Sequence, residues 1–78
     1  MLLDILTPDE TIFSGEVKLV QLPGTSGSFE ILEGHAPLIS SLKKGKVKII
    51  DESNKKRFYE IKGGVVEILN NKIIILAQ

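Results

Sequence analysis

The sequence contains no cysteine and a single histidine, His35. Disulfides are therefore excluded, and so are the Cys/His sets that hold structural zinc. Aromatic residues are nearly as sparse, with Phe13, Phe29, Phe58 and Tyr59 forming the whole complement. An excess of charge of one sign is also lacking: ten basic residues face ten acidic ones, and the formal net charge is zero. No global field exists to draw in nucleic acid or an anionic membrane. Long apolar runs are missing as well, since no stretch approaches the roughly 20 residues that a helical membrane span requires. The opening segment MLLDIL is too short, and carries Asp4 too early, to be a signal peptide. The expectation is a soluble protein of a reducing compartment, which suits the absence of cysteine.

With 78 residues the chain makes one small domain over residues 1–78. A domain of this size buries only about 60–65% of the surface its unfolded chain exposes, so its margin of stability is thin. Without disulfides or metal, that margin falls to a well-packed core or to a partner surface. Hydrophobic residues make up 42% of the chain, mostly Ile, Leu and Val, and β-branched side chains of this kind suit pleated sheets better than helices. Turn signals recur at short intervals: Thr7-Pro8-Asp9, Pro23 to Gly27, Lys44-Gly45, Glu52-Ser53-Asn54, Gly63-Gly64 and Asn70-Asn71. Between them lie candidate strands at 2–6, 10–14, 16–22, 27–32, 38–43, 46–51, 56–62, 64–69 and 72–77. None is long enough for an ordinary helix. Asn70-Asn71 fits a two-residue primed turn, because asparagine tolerates positive φ. The pattern predicts an all-β fold, a flattened antiparallel β-sandwich or barrel.

A strand with one wet face alternates, as Lys46-Val47-Lys48-Ile49 nearly does. Ile73-Ile74-Ile75-Leu76 instead is apolar on both faces, as are Ile12-Phe13, Val65-Val66 and Leu38-Ile39. So small a domain has no second core layer for the outward residues, which points to a face covered by a partner. In Glu16 to Leu22 the apolar phase slips near Lys18-Leu19, the expected site of a β-bulge. Charge is split along the chain. Residues 1–40 set Lys18 against six acids, and residues 41–78 set nine basic residues against four acids, so the halves stand at −5 and +5. Either strands from the two halves pair and interleave their charges, or acidic loops face a basic partner.

Catalytic machinery is hard to find. A serine nucleophile needs a base, and His35, near Ser40 and Ser41, is the only imidazole. Asp9 or Glu33 could orient it, but no Gly-x-Ser-x-Gly elbow is present. His35 reads instead as a loop histidine bonded to backbone before Pro37. Gly24-Thr25-Ser26-Gly27 lacks a Walker lysine and a following helix, so it is a hairpin turn and not a phosphate cradle. The lysines at 43, 44, 46 and 48 lack interleaved aromatics for stacking bases, and Gly45 suggests that they surround a solvated hairpin tip. A small nucleic-acid or ribosome-associated β-barrel is the alternative functional class.

The stretch from Gly27 to Ile49 (GSFEILEGHAPLISSLKKGKVKI) closely resembles the epsilon-subunit family of bacterial F-type ATP synthases, called delta in mitochondria. The shared pattern is a glycine turn, Ile31-Leu32, Gly34-His35-Ala36-Pro37-Leu38, a strand, then Leu42-x-x-Gly45-x-Val47-x-Ile49. Thr7-Pro8 before Phe13-Ser14-Gly15-Glu16-Val17, and Gly63-Gly64-Val65-Val66-Glu67-Ile68 after Phe58, extend the likeness over essentially the whole chain. The resemblance implies a β-sandwich of about ten short strands. It also implies a non-catalytic rotor subunit with no cofactor, peripheral on the cytoplasmic face of the bacterial inner membrane, that binds the gamma shaft and rests on the membrane c-ring. Carried over by motif position, Ser26, Gly27, Ser28, Glu30, Glu33, Gly34 and His35 would face the c-ring, with Glu30 and Glu33 supplying negative charge. Thr7, Leu38, Ser40 and Leu42 would lie toward gamma. Ser28 stands where many relatives carry an acid, and Glu30 where glycine is frequent. Most relatives continue into an inhibitory two-helix hairpin, some with an ATP site. Neither is expected in a chain that ends Leu76-Ala77-Gln78.

Overall fold

The computed structural model describes residues 1–78. Short β-branched runs separated by turns form eight strands and no helix. They are β1 (Leu2–Leu6), β2 (Thr11–Gly24), β3 (Gly27–Leu32), β4 (Leu38–Leu42), β5 (Gly45–Asp51), β6 (Lys56–Ile61), β7 (Gly64–Leu69) and β8 (Lys72–Ala77). The all-β expectation holds, with fewer strands than the resemblance implied. The segments 10–14 and 16–22 are one continuous strand because Gly15 does not break the ladder. It pairs with Leu3, and it is not among the glycines at positive φ.

β2 is long enough to serve two layers. Its first half pairs antiparallel with β1, from Leu2↔Glu16 to Leu6↔Thr11. Its second half lies between β3 (Leu19↔Leu32 to Gly24↔Gly27) and β5 (Val17↔Asp51 to Gln21↔Lys48). One layer therefore runs β1-β8-β7-β4 and the other β3-β2-β5-β6, and the pair Gly24↔Leu42 joins the end of β2 to β4. The passage between layers is the expected bulge. Val17 pairs with Asp51 and Leu19 with Ile50, so Lys18 is the extra residue that bends the strand.

Two expectations need correction. β1 and β8 run parallel, from Leu2↔Lys72 to Leu6↔Leu76, so the sheet is not wholly antiparallel. The rest of the chain lies between these two strands, and no local hairpin sets their direction. The lysines around Gly45 do not surround a hairpin tip either. β4 pairs with β7, whereas β5 pairs with β2 and β6, so Lys43-Lys44 crosses between layers. Gly45 is required at this crossing, since an added Cβ would lie 2.8 Å from Cβ of Pro23. The turn after β7 is as expected, with Asn70 and Asn71 at φ 50° and 63° between the paired Leu69 and Lys72.

Between the layers lies a core of 16 buried apolar residues, with no buried polar or charged side chain among them. Each fully buried Ile, Leu or Val, such as Ile5, Val20 and Ile75, contributes about 1.5–3 kcal/mol. Phe13 and Tyr59 cover one margin of the core, their ring centroids 5.8 Å apart. Strands from the two halves of the chain do pair, β1 with β8, β2 with β5 and β4 with β7. Their charges nonetheless form no ion pair across the halves. The two salt bridges, Met1 amine to Glu16 at 3.3 Å and Arg57 to Asp51 at 3.2 Å, each stay within one half.

Candidate docking surfaces

Register fixes which side chains the β1-β8-β7-β4 layer presents to the outside. Asp4, Ile74, Glu67 and Ile39 form one outward row, and Leu6, Leu76, Val65 and Ser41 the next. Leu2, Lys72 and Leu69 form a third. Five of these residues are large, apolar and exposed: Leu2, Ile39, Val65, Leu69 and Leu76, with Ile39 at 71%. A hollow of about 360 Å³ opens among Leu6, Ile39, Val65, Glu67, Ile74 and Leu76. The cause is visible in the strands that are apolar on both faces: Ile73 and Ile75 enter the core, and Ile74 and Leu76 have nowhere to go but out. A contiguous apolar face of this kind marks a surface that another molecule covers.

The outer face of the β3-β2-β5-β6 layer is different. Its rows read Glu30, Gln21, Lys48, Phe58 and then Leu32, Leu19, Ile50, Lys56, with Lys46 opposite Glu60. Phe58 and Leu32 are its only large exposed apolar residues; Phe58 stands opposite Lys48, and Leu32 leads a row with the partly buried Leu19 and Ile50.

The residues expected at the c-ring are all exposed. They lie along β3, which pairs only with β2 and so has a free edge. Ser26, Gly27 and Ser28 form the hairpin at one end, with Gly27 at φ 129°. Glu30 lies on the strand, and Glu33, Gly34 and His35 follow its other end, about 17 Å from the hairpin by strand rise. The second loop is pinned. The Gly34 N–H donates to Asn71 Oδ1 (3.3 Å), the His35 N–H donates to the Leu32 carbonyl (3.2 Å), and Nδ1 of His35 lies 2.7 Å from the Ala36 carbonyl oxygen. His35 is thus the backbone-bonded loop histidine that the sequence suggested. No group of acidic and histidine side chains is placed to hold a metal ion.

The residues expected at gamma divide. Thr7 lies in the turn between β1 and β2, and its hydroxyl oxygen accepts from the N–H groups of Asp9 (3.3 Å) and Glu10 (3.1 Å). That turn borders a hollow shared with Leu6, Val65 and Leu76, so Thr7 sits at the rim of the apolar face. Leu38, Ser40 and Leu42 point inward, opposite Ile68, Val66 and Gly64, and Leu42 is 5% exposed. The outward residues of that strand are Ile39 and Ser41. Ile39 was missed because a five-residue strand of mixed composition does not reveal its own parity. The parity is set by the fold: Leu42 meets the end of β2 and is buried, which turns Ile39 outward.

The family described as "ATP synthase, Delta/Epsilon chain, beta-sandwich domain" matches residues 1–78. The ATP synthase epsilon chain of Chlorobium limicola is 45% identical over 76 residues, covering 97% of this chain and 86% of that one. The epsilon chain of Alkalilimnicola ehrlichii is 36% identical over 75 residues, covering 96% of this chain but 54% of its own length. Among solved structures, a chain of the Euglena gracilis mitochondrial ATP synthase (OSCP/F1/c-ring) superposes with a TM-score of 0.90 at 26% identity, over 96% of this chain and 48% of that one. A chain of the Tetrahymena thermophila mitochondrial ATP synthase central stalk and c-ring gives a TM-score of 0.83 at 17% identity, over 99% of this chain and 62% of that one, a likeness of fold alone. With the family match running from the first residue to the last, the chain belongs to the ATP synthase delta/epsilon chain β-sandwich family.

Proposed function

We propose that this chain is the β-sandwich of an F-type ATP synthase epsilon subunit, a non-catalytic module of the central stalk that ties the gamma shaft to the membrane c-ring. It supports the coupling of ion translocation to ATP synthesis, and it works at the cytoplasmic face of a bacterial inner membrane without crossing it. The observation that carries the reading is the apolar outer face of β1-β8-β7-β4, on a chain of this family. Gamma covers that face, with Ile39, Val65 and Leu76 at its centre and Thr7 at its rim. Leu38, Ser40 and Leu42 support it from the inner side.

The free edge of β3 lies along the c-ring, which brings Ser26, Gly27, Ser28, Glu30, Glu33, Gly34 and His35 to one elongated contact. A packed core without polar groups suits the task, since close-packed interiors resist deformation and transmit load. Reversing charge with Glu30→Lys and Glu33→Lys weakens ion pumping by the assembled enzyme more than ATP hydrolysis. Unchanged pumping in that double variant would remove the ring contact from the proposal. Failure of the unmodified chain to co-purify with gamma would remove the rotor reading as a whole.

A further inference from the structure

The zero net charge of the chain conceals a local surplus. Lys44, Lys46 and Lys62 line a recess of about 580 Å³ between the β4–β5 crossing and the start of the β6–β7 crossing, and Glu60 is the only acidic side chain there. None of these lysines forms a salt bridge, and Lys43 adjoins them, also exposed and unpaired. The recess is built on fixed backbone. The Lys43 N–H donates to the Pro23 carbonyl at 2.8 Å, Gly45 packs on the Pro23 ring, and the Lys62 N–H donates to the Gln78 carbonyl at 3.1 Å. Pro23 is also the base of the Gly24–Gly27 hairpin, so the lysines lie beside one end of the free β3 edge.

We propose that this recess binds the phosphate headgroup of an anionic membrane phospholipid. The chemistry is a cluster of three ammonium donors facing a single carboxylate, that of Glu60, so that a surplus of positive charge is held in one concavity. The inference takes its orientation from the rotor reading: an edge laid on the c-ring holds the adjacent recess at the level of the surrounding headgroups. Lys46, on β5, and Lys62, just after β6, line the same recess, whereas Lys55, Lys56 and Arg57 stand at the far end of the β5–β6 hairpin. The site is thus local, and only its own lysines set its affinity.

The test is co-sedimentation of the chain with phosphatidylcholine vesicles with and without phosphatidylglycerol, at low and high salt. The expected result is binding that requires phosphatidylglycerol, is released by salt, and falls about 25-fold in the Lys44→Gln, Lys62→Gln variant, since each lysine near an anionic leaflet is worth about fivefold. The Lys55→Gln, Lys56→Gln variant is the control for bulk charge and keeps binding at the unmodified level. All three proteins are first matched for thermal melting. Equal binding to neutral vesicles, no binding, or equal loss in both variants overturns the proposal. Capture by single-stranded RNA with the vesicles left unbound also overturns it, and assigns the recess to a nucleic-acid partner. Co-purification with gamma is measured on the same preparations. A chain that holds gamma but ignores the vesicles defeats the lipid site alone, and a chain that binds vesicles but not gamma defeats the rotor reading.

Discussion

The two outer faces of this sandwich are each built from four strands, yet they have opposite chemistry. On β1-β8-β7-β4 the outward positions are Leu2, Leu6, Ile39, Val65, Leu69, Ile74 and Leu76, relieved only by Asp4, Ser41, Glu67 and Lys72. On β3-β2-β5-β6 they include Glu30, Gln21, Lys46, Lys48, Lys56 and Glu60, with Phe58 and Leu32 as exposed exceptions. A layer that only had to be soluble needs nothing beyond the second pattern. The first pattern leaves apolar surface in water at a cost of about 25 cal/mol per Å², which is recovered only when something covers it. The difference teaches that one layer does no more than complete the fold, while the other carries the apolar surface on which the proposed docking rests.

The largest expected effect tests the inner side, against which both faces are measured. Ile75→Ala opens a cavity in the core and lowers unfolding free energy by about 2–5 kcal/mol, as read by urea denaturation. Its neighbour on the same strand behaves otherwise: Leu76→Asp, at an outward position 56% exposed, changes stability by less than about 1 kcal/mol. The next effect is on exposed apolar surface. The Val65→Asp, Leu76→Asp variant loses most of its binding of a hydrophobic dye, whereas Phe58→Asp on the opposite layer loses little. Equal losses from the two faces would break the comparison.

The smallest effect concerns the polar layer. The N–H groups of Lys55 and Ser53 and the Arg57 guanidinium bond the Asp51 carboxylate and hold its pKa below the usual 3.8. A carboxyl depressed by folding adds stability above its unfolded pKa and loses it as pH falls through the folded value. The stability gap between the unmodified chain and Asp51→Asn is therefore flat near neutral pH and closes below 3.8. Parallel acid unfolding curves would contradict this.

Much of the architecture was legible because it is written in local chemistry. Asn70-Asn71 announces its primed turn, the phase slip at Lys18-Leu19 marks the bulge, and Ile73 to Leu76 declares two apolar faces. What stayed hidden depends on distant partners. The parallel pairing of β1 with β8, the crossing at Lys44-Gly45, and the inward parity of Leu38, Ser40 and Leu42 each follow from where another segment lies. The candidate site shows the same division. The motif singled out Ser26, Gly27, Ser28, Glu30, Glu33, Gly34 and His35 as candidates, but not their alignment along one free edge, because that requires knowing that β3 pairs on one side only. Ile39, the most exposed of the large apolar residues, needed strand parity.

The most direct measurement is co-purification of gamma with two single variants of this chain, Ile39→Asp on the apolar face and Phe58→Asp on the charged one, both confirmed folded. These positions are 71% and 57% exposed, so neither substitution disturbs the core. The account predicts that Ile39→Asp loses gamma while Phe58→Asp retains it. Retention of gamma by Ile39→Asp, or its loss only in Phe58→Asp, would contradict the assignment of the β1-β8-β7-β4 face as the docking surface.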